Sequence, residues 1–162
     1  MTSKLNVGSN FTFEIPYELC DDVINRQIKL VVSDISHLAG KRILLVDDNK
    51  MNVLLAQTVV KKYKIITDTA CDGSEAYKLF ENNDYDLILT DVQMPVMGGV
   101  ELTRLIRSGK NIKKSDVPIL GVTANVIEED RDRYLAAGMN ALVLKPYSEK
   151  ELIDKIASYI LA

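Results

Sequence analysis

Ile43-Leu44-Leu45-Val46-Asp47-Asp48-Asn49 decides the fold: four consecutive apolar residues end abruptly in two carboxylates and an amide. A strand apolar on both faces reads as a parallel strand covered by helices on both sides. The pattern recurs downstream at Leu87-Ile88-Leu89, Ile119-Leu120-Gly121-Val122 and Leu142-Val143-Leu144, and more weakly at Ile65-Ile66-Thr67. Between these runs the apolar residues change to helical spacing. Leu54, Leu55 and Val59 form one expected stripe; Ala76, Leu79 and Phe80 form a second, and Leu102, Leu105 and Ile106 a third. The last helix carries Leu152, Ile153, Ile156 and Ile160, and Ser148-Glu149-Lys150-Glu151 marks its start as a capping box. Gly138 stands where the preceding helix should stop. Strand and helix thus alternate five times from about residue 41. The order predicts an α/β fold: a flavodoxin-like, doubly wound, five-stranded parallel sheet, order 2-1-3-4-5, with helices on both faces.

The chain has 162 residues, enough for one domain with a short extension. Hydrophobic residues make up 47% and charged residues 27%, a globular balance with enough apolar side chain for a core. Twenty basic against 23 acidic residues leave a net charge of −3, which argues against a generally basic nucleic-acid surface. No apolar run is long enough to span a bilayer, and Met1 to Asn10 lacks a signal peptide's apolar core. Cys20 and Cys71 form no CxxC pair, so a cytoplasmic, reducing setting is expected.

In this topology ligands bind beyond the carboxyl ends of the strands, where the winding reverses. The residues there are Asp47-Asp48-Asn49, Asp91, Thr123 and Lys145-Pro146. Three carboxylates crowded to about 4 Å repel by roughly 4 kcal/mol per pair at an effective dielectric of 20. One lysine cannot cancel that, whereas Mg²⁺ can, using one or two carboxylates together with a phosphate. An aspartate can attack phosphorus without a general base, which suits a chain whose one histidine is His37. Asp91 is the natural nucleophile, with Asp47 and Asp48 on the metal and Lys145 and Thr123 against the phosphoryl oxygens. Each residue has a plainer reading too. Asp47-Asp48-Asn49 could be a helix cap, Asp91 a turn residue, Thr123 a loop hydroxyl and Lys145 a strand exit. Four plain readings at four strand ends of one crevice make a poor joint account.

These segments resemble the receiver domain of two-component response regulators. The resemblance rests on Ile43 to Asn49, on Leu87-Ile88-Leu89-Thr90-Asp91-Val92-Gln93-Met94-Pro95-Val96-Met97-Gly98-Gly99, on Pro118 to Ala124 and on Gly138 to Pro146. It covers about residues 40–162. It implies that Asp91 is the phosphoacceptor, charged from a partner's phosphohistidine. It implies that Asp47, Asp48, Asp91 and the backbone carbonyl of Gln93 hold Mg²⁺, and that Thr123 and Lys145 bind the phosphoryl group. A cis Lys145-Pro146 bond is expected as well. Gln93 and Asn125 stand where the family tunes phosphoryl lifetime. One departure concerns switching: the family's aromatic residue three positions before the lysine is Leu142 here, so a muted switch, or one carried by backbone and loop shifts, is expected.

Gly8-Ser9-Asn10-Phe11-Thr12-Phe13-Glu14-Ile15-Pro16 alternates like a strand and is similar to the last strand of histidine kinase ATP-binding domains. The expected organisation is a kinase-domain remnant over 1–16, a linker over 17–39 and a receiver over 40–162. The implied function is phosphorelay signalling as the C-terminal part of a hybrid sensor histidine kinase, a kind of parent that can be anchored in the membrane. The fragment's own chemistry would be limited to taking up and losing a phosphoryl group. Expected partners are a histidine kinase dimerisation domain or a histidine phosphotransfer domain, with a second copy of the chain as a further candidate. DNA and membrane contacts are not expected. A haloacid-dehalogenase phosphohydrolase would need a DxD motif, and a flavin module would need a Ser/Thr/Gly-rich phosphate loop. Asp47-Asp48-Asn49 supplies neither. A degenerate receiver that is never phosphorylated would not need the full acidic set.

Overall fold

The computed structural model describes residues 2–4, 8–10, 35–109, 112–124 and 128–160. The expected strand residues 11–16, the linker residues 17–34 and Asn125 lie outside the described residues. The chain divides into two compact units, Met1–Val31 and Val32–Ala162. In the first, β1 (Thr2–Lys4) pairs antiparallel with β2 (Gly8–Asn10), Thr2 opposite Asn10.

In the second unit the first described element is a 3₁₀ turn, Ile35–Leu38, whose Leu38 is fully buried. It continues as β3 (Arg42–Val46), α1 (Lys50–Lys61), β4 (Ile66–Ala70), α2 (Gly73–Asn82) and β5 (Leu87–Asp91). Then come α3 (Gly99–Arg107), a short helical turn α4 (Ile112–Ser115), β6 (Ile119–Thr123), α5 (Glu128–Ala136), β7 (Ala141–Leu144) and α6 (Glu149–Ile160). The five strands are parallel and lie in the order β4-β3-β5-β6-β7. Numbered by their place in this unit, that is the expected 2-1-3-4-5.

Period-two alternation divides the core between the two faces of the sheet. Ile43, Leu45, Leu87, Leu89, Leu120, Val122 and Val143 pack with Val59, Val60, Leu152, Ile153 and Ile156 of α1 and α6. Leu44, Val46, Ile88 and Ile119 pack with Ala76, Phe80, Leu102, Ile106 and Tyr134 of α2, α3 and α5. This is why the strands read as unbroken apolar runs.

Two expectations need adjustment. The buried stripe of α1 is Ala56, Val59 and Val60, while Leu54 and Leu55 are more than half exposed. The amphipathic phase is set by where the sheet lies, and these leucines face away from it. β4 (Ile66–Ala70) runs past Thr67 to Ala70 and is one of the sheet's two edges, with Ile66 exposed. An edge strand has less to bury, and its sequence signal is correspondingly faint. The capping box forms as read: the Ser148 backbone N–H donates to Glu151 Oε2 at 2.8 Å, and the Glu151 N–H to Ser148 Oγ at 3.2 Å. Gly138 adopts φ +103° just past α5.

Candidate functional site

Each site residue stands at the carboxyl end of a strand or within two residues past it. Asp47 and Asp48 follow β3, Asp91 is the last residue of β5, Thr123 the last of β6, and Lys145 follows β7. Register brings them level: Asp91 lies opposite Val122, and Thr123 opposite Leu144. The Lys145 backbone N–H donates to the Thr123 carbonyl at 2.8 Å, tying those two strand exits together. The Lys145-Pro146 peptide is cis.

The side chains converge. Asp47, Asp48 and Asp91 each present a carboxylate oxygen, all within 4.8 Å of one another. Lys145 Nζ bridges two of them, at 2.8 Å from Asp47 Oδ2 and 2.5 Å from Asp91 Oδ2. Burial would lower the pKa of this ammonium, but the hydrogen bonds and charges of Asp47 and Asp91 outweigh it and hold the pKa above its ordinary 10.5. Counted formally, three carboxylates against one ammonium sum to two negative charges, the charge that a divalent cation would balance. Oxygen donors at this spacing fit a hard divalent cation such as Mg²⁺.

The acids differ in how far their oxygens are already engaged. Asp47 Oδ1 accepts from the Asn49 backbone N–H at 2.8 Å and from Asn52 Nδ2 at 3.1 Å. Its Oδ2 accepts from Asn52 Nδ2 at 3.0 Å and from Lys145. Asp91 Oδ1 accepts the Gln93 backbone N–H at 2.9 Å. Asp48 is exposed. Thr123 is buried at the tip of β6.

Gly99, the first residue of α3, lies against the back of Asp91. A Cβ there would sit 2.3 Å from the Asp91 carbonyl oxygen and 3.0 Å from Thr90 Oγ1. Only glycine allows the helix to start that close to the strand end. Val96, in the same loop, has φ +67° and is almost wholly exposed. Tyr147 lines a cavity of about 20 Å³ together with Asp47, Asn52, Val53 and Asp91. Burial pushes the Tyr147 hydroxyl's pKa up, and the Asp47 and Asp91 charges add to that against an opposing pull from Lys145. Sequence reasoning placed every acid and the lysine in the cleft, but it missed Asn52 and Tyr147. A clue to Asn52 was available: it lies three residues after the Asn49 cap, on the first helical turn beside the strand end.

The family model of the response regulator receiver domain matches residues 43–157. The chain belongs to that family. Among similar solved structures is the receiver domain of the sensor histidine kinase PA1611 from Pseudomonas aeruginosa PAO1, a structure with a magnesium ion coordinated in the active site cleft. It is 35% identical, with 76% of this chain and 100% of that chain covered and a TM-score of 0.70. The autoinducer 2 sensor kinase/phosphatase LuxQ of Vibrio vulnificus YJ016 is 32% identical over 97% of this chain and 18% of its own length. The aerobic respiration control sensor protein ArcB of Escherichia coli K12 is 33% identical over 98% of this chain and 20% of its own. The chain therefore spans about a fifth of the length of these curated relatives. It is a receiver domain of the kind that such sensor kinases carry, which places it in two-component phosphorelay signalling. Among the described residues, no helix is long and apolar enough to cross a membrane.

Proposed function

We propose that this receiver takes a phosphoryl group from a partner's phosphohistidine onto Asp91 and passes the signal on through protein contacts. The observation that carries the reading is the single cleft in which Asp47, Asp48 and Asp91 meet under the Lys145 ammonium. An Asp91 carboxylate oxygen attacks phosphorus, the new O–P bond forms, and the P–N bond breaks with its electron pair returning to the imidazole. Lys145 already touches Asp91, so it is placed to follow the incoming oxygens and neutralise them. Thr123, one position beyond the Val122 that faces Asp91, brings a hydroxyl-bearing residue to the neighbouring strand end. Magnesium, held by Asp47, Asp48, Asp91 and the Gln93 backbone carbonyl, would supply the positive charge that lets two anions meet.

The partner we propose is a histidine phosphotransfer domain or a kinase dimerisation domain, with the whole protein a hybrid sensor histidine kinase. Met51, Leu54 and Leu55 expose apolar surface on α1, the helix that starts at the cleft. Such surface suits a protein donor better than a small molecule. The N-terminal resemblance to a kinase's last strand, and the sensor kinases among the relatives, support the hybrid architecture. To test this reading, a phosphorylated histidine phosphotransfer protein carrying labelled phosphate is mixed with the chain and magnesium. Label should move to the chain, and Asp91→Asn or a chelator should stop it. Undiminished transfer to Asp91→Asn would overturn the site assignment.

A further inference from the structure

Asn52 does not cap the helix that carries it. The cap of α1 is Asn49, whose side chain accepts the Met51 N–H at 2.9 Å. The cap residue's own N–H, which a glutamate three residues on often satisfies, is taken by Asp47 Oδ1 instead. Asparagine inside a helix is a poorer former than alanine. Yet Asn52 turns its amide nitrogen to Asp47 and sits within 3.1 Å of both carboxylate oxygens. Only the NH₂ end of the amide can face a carboxylate in this way, because its oxygen would meet two acceptors.

Asp47 is otherwise held by Lys145, which also holds Asp91. A lysine that follows an incoming phosphoryl group must loosen its grip on Asp47. The carboxylate then keeps its orientation only through the Asn49 N–H and the Asn52 amide. The amide is neutral, so it fixes Asp47 without cancelling any of the negative charge that attracts a cation. We infer that Asn52 is a positioning residue that presets the Asp47 carboxylate for the divalent cation of the phosphoryl-transfer site. The inference rests on the phosphoacceptor reading above for its purpose, although its geometry stands alone.

The test uses the intact chain, with Asn52→Ala and Asn52→Leu as variants. Magnesium binding is measured by titration calorimetry, and unfolding in urea is followed without magnesium. Removing a side chain that orients a metal-site carboxylate should raise the magnesium dissociation constant roughly tenfold or more. Without magnesium both variants should still unfold cooperatively, with a urea midpoint lowered no further than the lost hydrogen bonds to Asp47 account for, since alanine and leucine offset part of that loss as better helix formers. Phosphoryl uptake from acetyl phosphate should return to the wild-type rate once magnesium is raised to saturation. Dissociation constants within about twofold of wild type in both variants would overturn the inference, since outer residues that orient metal ligands have larger effects. So would a rate deficit that persists at saturating magnesium. Failure of the wild type itself to accept phosphoryl would count against the phosphoacceptor reading, whatever the calorimetry shows.

Discussion

Lys145 is held between Asp47 and Asp91, and under the proposed function its ammonium is placed to meet the phosphoryl group. At this scale the sequence was highly legible for the charged residues. Asp47, Asp48, Asp91 and Lys145 each follow an apolar run, and a parallel sheet brings such positions to one edge. Asn52 was not legible, because an amide on a first helical turn has many uses until its direction is known. Val96 was hidden for another reason: a positive φ leaves no trace in a residue's identity when the residue is β-branched. Valine at φ +67° is sterically costly, by about 1–2 kcal/mol. Val96 is 85% exposed, so its side chain recovers little by packing. Val96→Asn and Val96→Gly should therefore raise the unfolding free energy by about 1 kcal/mol in urea titrations. A fall in both variants would show that the loop depends on the valine itself.

At the scale of elements, strands announced themselves wherever both faces are buried, as in β3, β5 and β6. The phase of α1 and the extent of β4 did not, since both depend on what the rest of the molecule leaves uncovered. The short turn α4 and the 3₁₀ turn at Ile35–Leu38 carry too few residues to show a period. Arg107 shows how distant elements are joined at the sheet's amino end. Its guanidinium donates to the carbonyls of Ser115, Val117 and Gly138 and to Asn140 Oδ1. Asn140 Oδ1 in turn accepts the Ile119 N–H at 2.8 Å, so one fork joins α3, α4, the entry to β6 and the turn before β7. Arg107→Ala leaves these acceptors to find other donors and should cost about 2–4 kcal/mol of unfolding free energy. Arg107→Lys should recover only part, because an ammonium lacks the planar fork. Full recovery by lysine would mean that charge alone is at work.

For the whole molecule, titrating groups bound the pH range of greatest stability. Glu149 is held below its ordinary 4.5 by hydrogen bonds from Lys62 and Tyr63, and Glu151 by the Ser148 backbone N–H. A depressed folded pKa gives stability that is present above about 4.5 and is lost as pH falls through the folded value. On the alkaline side, burial first and then the Asp68 hydrogen bond push Tyr85 from 10.0 to about 12. A raised folded pKa gives stability that is complete below about 10 and is lost as pH climbs toward 12. Urea midpoints should thus form a plateau between these limits. Tyr85→Phe should be less stable on that plateau, having lost the 2.9 Å bond to Asp68, but should fall less steeply above pH 10. An equally steep alkaline fall in the variant would contradict the assignment.

The overall architecture was the most legible feature, because alternating strands and helices admit few topologies. Under the proposed function, the chain must accept a phosphoryl group at one atom. The direct measurement is peptide mapping by mass spectrometry after incubation with acetyl phosphate, with and without magnesium. The account predicts one phosphoryl group, on the peptide containing Asp91, present only with magnesium and absent from Asp91→Asn. A phosphoryl group carried on any other residue, or an unmodified Asp91 peptide at saturating magnesium, would contradict it.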